Sequence, residues 1–238
     1  MRAFSSLIGH ILGSHPDING YYEMHINYQH IDNLRQQEHL YLQQETYKPG
    51  SHLLFDKLLH NSYELDLTRL NLHQPRLLVA LRSAQPTIKS IVNLFQQKEG
   101  NNRYADPHEA TQYYIQRLQK LSEFCITNQN AYYYFDAELI QSDTQDMLST
   151  LTRWLQLDTP LSKDYQLFSQ TGKPRAGDSS TVIQSGRIVK ESTNYSRIEL
   201  DEALLILAQE AYTNHRSIFI ENALEQKTVN SKNNVLNH

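Results

Sequence analysis

The chain has 238 residues, enough for one domain or two, and its 39% hydrophobic content is sufficient for a closed core. A formal charge of −4 excludes a general basic surface for nucleic acid, so any phosphate ligand is expected to be held locally. No apolar run approaches the roughly 18 residues of a membrane-spanning helix, and no signal peptide is recognisable at the start. The single cysteine, Cys125, fits a reducing compartment, so the cytoplasm is the expected location.

Helical and apolar patterns alternate along most of the chain. Apolar residues recur on one side of the first segment, which predicts a helix with Ser5 or Ser6 as its N-cap. Periodicity predicts helices over residues 5–12, 25–46, 86–95, 109–128, 144–157 and 198–224. Apolar runs predict strands over residues 53–58, 75–81 and 131–135.

This alternation of strands and helices predicts an α/β fold with a parallel sheet flanked by helices. A single domain is expected over residues 1–225, followed by a disordered tail over 226–238. The stretch 169–193 interrupts the rhythm because it is rich in Gly, Ser, Lys and Arg and has little hydrophobic period. It is expected to form an irregular loop that covers a site.

Two predicted strand-to-helix junctions carry residues suited to an anion. Ligands of parallel α/β proteins bind beyond the carboxyl ends of the strands, where the N–H groups of helix starts attract negative charge. One junction offers Arg2 with the hydroxyls of Ser5 and Ser6, and the other offers Arg82 with Ser90 two turns later. Taken singly, each has an ordinary explanation, because serine pairs often cap helices and arginines often lie at the surface.

Together these residues resemble the sulfotransferases that use 3′-phosphoadenosine 5′-phosphosulfate (PAPS). The family's 5′-phosphosulfate loop has Arg or Lys, Ser, Gly and two Ser or Thr residues, then an apolar helix and a His-Pro turn; here the sequence is RAFSS, LIGHILGS and HPDI. Its 3′-phosphate motif is an Arg at the end of a buried strand and a Ser eight positions later, as in Arg82 and Ser90. In the bacterial and tyrosylprotein branch a catalytic Glu follows the His-Pro turn, and the segment GYYE ends at Glu23 in that place.

Three further segments extend the resemblance to roughly the first two hundred residues. The FDK segment ending at Lys57 is similar to the one that carries a lysine before the 3′-phosphate strand. AYYYFDAELI is similar to a later strand and helix of the family, and GKPRAGDSSTVIQSGRIV to the loop that closes over the nucleotide. The resemblance implies the sulfotransferase fold, in which a P-loop-like parallel sheet is flanked by helices.

The resemblance also implies the reaction, transfer of a sulfuryl group from PAPS to a hydroxyl or amine by in-line displacement. Glu23 is the expected base, with His25 as the alternative. His60 ranks third because Lys57 and His60 do not match the Lys-x-His arrangement of the cytosolic branch. Lys57 is expected to neutralise the bridging oxygen of the leaving group. The acceptor is expected to be a small molecule, a carbohydrate or a lipid.

The implied donor site combines both junctions with the late loop. Its expected residues are Arg2, Ser5 and Ser6 for the 5′-phosphosulfate, Arg82 and Ser90 for the 3′-phosphate, and the loop cations Lys173, Arg175 and Arg187. No CxxC or HExxH motif is present, and no metal is expected. The absence of G-x-x-x-x-G-K-[ST] disfavours a P-loop kinase.

Two departures from the family pattern define an alternative. The chain starts at Met1, so the strand that leads into the phosphosulfate loop in the family is missing, and a longer natural chain is one expectation. Phe4 stands where the family has Gly, which lets the backbone approach a phosphate. The alternative is therefore a catalytically inactive sulfotransferase-like module for nucleotide binding or protein interaction.

Overall fold

The computed structural model describes residues 2–70, 75–100, 102–169, 171–172, 181–190 and 195–229. The helices in these ranges are α1 (Ser5–Ser14), α2 (Asp32–Leu42), α3 (Leu67–Leu70), α4 (Ala84–Gln96), α5 (Pro107–Thr127), α6 (Leu139–Ser142), α7 (Thr144–Trp154) and α8 (Glu202–Glu221). The strands are β1 (Ile18–Asn19), β2 (Leu53–Leu54), β3 (Leu77–Leu81), β4 (Tyr132–Asp136) and β5 (Glu225–Lys227). None of the described helices is long and apolar enough to cross a membrane.

The strands are all paired in parallel, which confirms the expected mixed α/β fold with parallel strands flanked by helices. In the described part of the chain they form two sheets where one was expected. The smaller sheet pairs β1 with β2, and the larger has the order β3-β4-β5. In the larger sheet Leu77 lies opposite Tyr132, and Tyr133 lies opposite Glu225.

Strand β4 is the middle strand of the larger sheet, and all five of its residues are buried. Because side chains alternate along a strand, Tyr133 and Phe135 face one hydrophobic cluster, with α1 and α7, while Tyr132 and Tyr134 face another, with α4, α5 and α8. The indole of Trp154 packs 5.5 Å from the ring of Tyr133. These aromatic side chains therefore belong to the core.

The polar helix predicted over residues 25–46 is shortened at both ends to α2. Residues ahead of α2 form an extended segment, in which the Tyr28 N–H donates to the Glu64 carbonyl at 2.8 Å. The bend before this segment is at His25, whose φ of 57° is left-handed and interrupts a helix. Helical periodicity did not reveal this bend because a polar stretch has no apolar stripe to interrupt.

The C-terminal boundary also differs from the prediction. Residues 225–227 form β5, so the folded part continues past residue 225 into the expected tail. The three residues of β5 are polar and mostly exposed, and they carry none of the apolar signal by which strands are recognised. Residues 230–238 lie outside the described residues.

Candidate functional site

The start of α1 is held by a residue in a left-handed conformation. Phe4 precedes the helix with φ 55° and ψ 21°, and its side chain supplies no cap for the first turn. The N-cap expected at Ser5 or Ser6 is therefore wrong, because both serines lie inside the first turn. A left-handed residue before a helix is a conformation that glycine adopts without strain. Phe4, which stands where the resembled family has Gly, therefore has a backbone conformation that favours glycine.

The fold brings the residues of the two predicted strand-to-helix junctions into contact beside the start of α1. The Arg2 Nε–H donates to the Ser90 hydroxyl at 3.0 Å, although the residues are 88 positions apart. The Arg82 guanidinium donates to the Arg2 carbonyl at 3.3 Å. Ser90 is buried in the middle of α4. Arg2, Arg82 and Ser90, called the arginine pair site below, thus form one group at the first turn of α1.

Arg82 is a half-buried cation with spare hydrogen-bonding capacity. Its Nε is buried and has no hydrogen-bond partner among the described residues. Its guanidinium lies over the ring of Phe4 at 4.4 Å, and burial lowers its pKa. Among the described residues no carboxylate forms an ion pair with it: the Tyr195 side chain hydrogen-bonds to the guanidinium, and the nearby Glu138 carboxylate accepts from the Ser83 N–H and hydroxyl at 2.8 and 2.6 Å. A desolvated cation with an unused donor is suited to an anionic ligand.

The predicted phosphosulfate residues divide between surface and interior. Ser6 is buried, and its carbonyl accepts from His10 Nδ1 at 2.8 Å, whereas Ser5 is half-exposed.

Lys57 is buried with its side chain against α1, 3.5 Å from where a Cβ at Gly9 would lie. Gly9 is required here, because a Cβ would clash with the carbonyl of Tyr21. The segment leading to Glu23 therefore lies directly on α1.

The described start of the late loop contacts α1 and the segment that leads to Glu23. The Thr171 hydroxyl is 2.8 Å from His10 Nε2, and the Phe168 ring stacks on Tyr21 with centroids 4.0 Å apart. Lys173 and Arg175 lie outside the described residues. Arg187 is exposed, in a turn that bridges to Asp164, and among described residues it does not contact the arginine pair site. Its predicted role in binding the donor stays a prediction.

Glu23 is enclosed by two histidines. Its side chain is only 10% exposed, and its Oε1 accepts from the Leu59 N–H at 3.2 Å. The other oxygen, Oε2, lies 3.6 Å from His60 Nε2 and 3.9 Å from His25 Nδ1. His60, ranked third from the sequence, is thus the nearer of the two imidazoles. Burial lowers the pKa of His60.

Asp56 connects the segment that carries Glu23 with the segment that carries His60. Its carboxylate accepts from the Met24 N–H at 2.9 Å and from the Lys57 N–H at 2.6 Å, and the Tyr28 hydroxyl donates to it at 2.6 Å. Burial raises its pKa. One carboxylate thus binds Met24, next to Glu23, and Lys57, three residues before His60. It therefore holds the segments that carry Glu23 and His60 close together.

One turn of α5 contacts both groups of residues, and sequence reasoning missed it. The Tyr114 hydroxyl donates to the Arg82 carbonyl at 3.2 Å, while the hydroxyl of its neighbour Tyr113 lies 3.4 Å from His60 Nδ1. Arg117, one turn on, donates to the Leu58 and His60 carbonyls at 2.6 and 3.2 Å. In the sequence this helix shows only amphipathic periodicity, so nothing separates these residues from ordinary helix positions.

Comparisons with protein-family models, curated proteins and solved structures found no match to this chain. The chemistry of the site therefore rests on its own geometry. One part offers cationic and hydroxyl donors at a helix start, and the other offers an enclosed carboxylate with imidazoles beside it. The first arrangement can bind an anion, and the second can accept a proton.

Proposed function

We propose that this protein is a PAPS-dependent sulfotransferase with the fold of that family, and that Glu23 is its base. The observation that carries the proposal is Arg82, a half-buried cation with no carboxylate partner in the described part of the chain, beside Arg2 and Ser90. Burying an arginine without a direct ion pair costs stability, and a dianionic ligand supplies that partner.

The residues at the start of α1 fit the anionic ends of such a donor. Arg82 and Ser90 would bind the 3′-phosphate through the guanidinium and the hydroxyl. Arg2, Ser5 and Ser6 would bind the 5′-phosphosulfate together with the N–H groups of the helix start. Lys57, buried against α1, would face the charge that develops on the leaving oxygen.

Glu23 would do the proton chemistry. When bound, the donor supplies the sulfuryl group, whose S–O bond to the phosphate oxygen breaks as the bond to the acceptor oxygen forms. Glu23 takes the proton of the acceptor hydroxyl, so no charged acceptor builds up. The Leu59 N–H holds Oε1 at 3.2 Å and leaves Oε2 for this proton. His60 and His25 lie next to Oε2, at 3.6 and 3.9 Å, and form the wall of the site on that side.

Phe4 favours the second candidate, a sulfotransferase-like module without catalysis. Its ring lies under the Arg82 guanidinium at 4.4 Å, in the place where a glycine would leave space for a phosphate. In this alternative the arginine pair site still binds the 3′-phosphate end of a nucleotide, but the 5′ end does not reach the helix start. The two candidates differ in turnover and share the 3′-phosphate site.

Nucleotide binding tests the shared part of both candidates. We expect 3′-phosphoadenosine 5′-phosphate to raise the melting temperature, and AMP to raise it much less because AMP lacks the 3′-phosphate. Arg82→Lys, which keeps the charge but loses the guanidinium fork, should weaken binding of the bisphosphate by about 2 kcal/mol, roughly thirtyfold in Kd. Calorimetric titration measures this change.

The matched control is Arg35→Lys, because Arg35 is an exposed arginine of α2 that pairs with Asp32. It should leave the Kd of the bisphosphate unchanged. Equal temperature shifts with AMP and the bisphosphate, or equal Kd values for the Arg82 and Arg35 variants, would remove the 3′-phosphate assignment.

Substitution of Phe4 separates the enzyme from the inactive module. Phe4→Ala removes the ring, and Phe4→Gly also relieves the left-handed backbone, worth about 1 kcal/mol of stability over the alanine. We expect both variants to bind the bisphosphate about tenfold more tightly if the ring blocks the site, a contribution of about 1.4 kcal/mol. Calorimetry and thermal unfolding of both variants test this. Unchanged affinity in both would show that the ring does not limit the site, and the inactive alternative would lose its main support.

A further inference from the structure

We infer that Glu23, His25 and His60 form a binding site for a transition-metal dication, with Zn²⁺ as the best fit. One ligand atom from each residue can be chosen so that all three lie within 4.8 Å of one another. No sequence motif predicts this site, because His60 comes from a distant segment and no spacing typical of metal ligands links the three residues.

The separations are close to those of a tetrahedral site. Oε2 of Glu23 lies 3.6 Å from His60 Nε2 and 3.9 Å from His25 Nδ1. Bonds of about 2.0 Å hold the ligand atoms of a tetrahedral zinc about 3.3 Å apart. Closing the two separations from Glu23 to that value requires shifts of a few tenths of an ångström. The two imidazole nitrogens lie within 4.8 Å of each other and must approach by at most about 1.5 Å, which side-chain rotation can supply.

Hydrogen-bond partners on the other side-chain atoms of Glu23 and His60 orient these two ligands. The Leu59 N–H holds Glu23 Oε1 at 3.2 Å, so Oε2 is the oxygen directed at the imidazoles. His60 Nδ1 lies 3.4 Å from the Tyr113 hydroxyl, and that contact leaves Nε2 for the metal. An outer partner on the second ring nitrogen is the usual arrangement for a metal-binding histidine, where it fixes the tautomer and the plane of the ring.

Backbone conformation adds to this orientation. His25 has a φ of 57°, which residues other than glycine rarely adopt, and its imidazole lies alongside that of His60 with centroids 6.2 Å apart. A left-handed histidine persists only where the surrounding structure determines it. The nearby cation Arg117 donates through its two terminal nitrogens to the His60 and Leu58 carbonyls, and so holds the backbone that carries His60.

The donor set selects the kind of metal. Two imidazole nitrogens and one carboxylate oxygen suit zinc and its neighbours, whereas Mg²⁺ and Ca²⁺ prefer oxygen ligands throughout. The imidazoles of His25 and His60 are 40% and 48% exposed, so an ion can enter from solvent and keep a water as its fourth ligand.

The metal site has a consequence that rests on the proposed function. A zinc ion bound to Oε2 of Glu23 occupies the lone pair that the base needs for the acceptor proton. Metal binding and sulfuryl transfer then exclude each other, so Zn²⁺ acts as an inhibitor at this carboxylate. The binding site itself does not depend on that reaction.

Zinc titration of the full chain tests the site directly. After EDTA treatment and its removal, we expect calorimetry with ZnCl₂ to give one site per chain, and Co²⁺ to give the visible absorption of a tetrahedral complex. His60→Ala should abolish the Co²⁺ spectrum. Tyr113→Phe, which loses only a hydroxyl, should weaken zinc binding about tenfold. The matched control His39→Ala removes an exposed histidine of α2 and should change neither measurement.

The outcomes separate this inference from the proposed function. A chain that binds no Zn²⁺, or whose Zn²⁺ affinity is the same in the His60, Tyr113 and His39 variants, overturns the metal site. Zinc that binds at these residues without reducing turnover leaves the site in place and contradicts the role of Glu23 as base. Activity that requires Glu23 in a chain that binds no zinc supports the role of Glu23 as base and overturns the metal site.

Discussion

Glu23→Gln is expected to reduce sulfuryl transfer roughly a hundredfold or more while binding of 3′-phosphoadenosine 5′-phosphate is retained. Glutamine keeps the shape of the side chain and still accepts from the Leu59 N–H, which lies 3.2 Å from Oε1. It has no carboxylate oxygen to take the acceptor proton. The substitution should therefore lower kcat. Nucleotide affinity should not change, because Glu23 is not part of the arginine pair site.

The measurement is the rate of bisphosphate release from PAPS with a phenol, a primary alcohol and a sugar as trial acceptors. The acceptor that the unsubstituted chain uses fastest serves for the comparison, and EDTA is present so that metal binding does not mask the base. The matched control is Glu64→Gln, because Glu64 is an exposed glutamate that bonds to Gln29.

Three results would change the assignment. Full activity of the Glu23 variant together with loss of activity in His25→Ala would move the base to His25. Loss in His60→Ala alone would move it to His60, whose Nε2 lies nearer to the Glu23 carboxylate than the His25 imidazole does. No turnover of any acceptor by the unsubstituted chain would favour the inactive module.

Asp136→Asn is expected to lower the free energy of unfolding by about 3–5 kcal/mol. Asp136 is 1% exposed at the end of β4, and its two oxygens accept from the Arg216 guanidinium at 2.8 and 2.6 Å. The Tyr134 hydroxyl and the Val229 N–H also donate to it, each at 2.7 Å. The asparagine leaves the arginine charge uncompensated and places an NH₂ group among donors, which explains the size of the effect.

Urea denaturation measures this loss, with Asp32→Asn as the matched control. Asp32 pairs with Arg35 at 3.1 Å, but both side chains are mostly exposed, so the control should change stability by less than about 1 kcal/mol. The double variant Asp136→Asn, Arg216→Gln should recover part of the loss, because it also removes the unpaired charge. A loss for Asp136→Asn no larger than that of the control would contradict the structural importance of this pair.

Much of the fold could be predicted because its elements have local patterns. The apolar stripe of α1 and the continuous runs of β3 and β4 are properties of neighbouring residues, and the structure has these elements within a few positions of the prediction. The grouping of Arg82 and Ser90 was also predictable, since the carboxyl end of a parallel strand and the helix that follows it have a fixed relation.

Other parts had no such pattern. β5 is polar and exposed, and it is a strand only because β4 offers it a parallel partner. The extended segment after the bend at His25 pairs through Tyr28 with the distant Leu65. Tyr113 and Arg117 became part of the site only when α5 packed against residues 58–60.

The sequence by itself determined the class of fold, the central buried strand and the residue types at the start of α1. Burial of apolar side chains acts through periods of two and 3.6 residues, and these periods are visible in the chain. Only the tertiary structure decided that Arg2 meets Ser90, 88 positions away, and that His60 lies nearer to Glu23 than His25 does. Such contacts depend on how whole elements pack, and no local preference of the chain encodes the distance between two side chains on different elements.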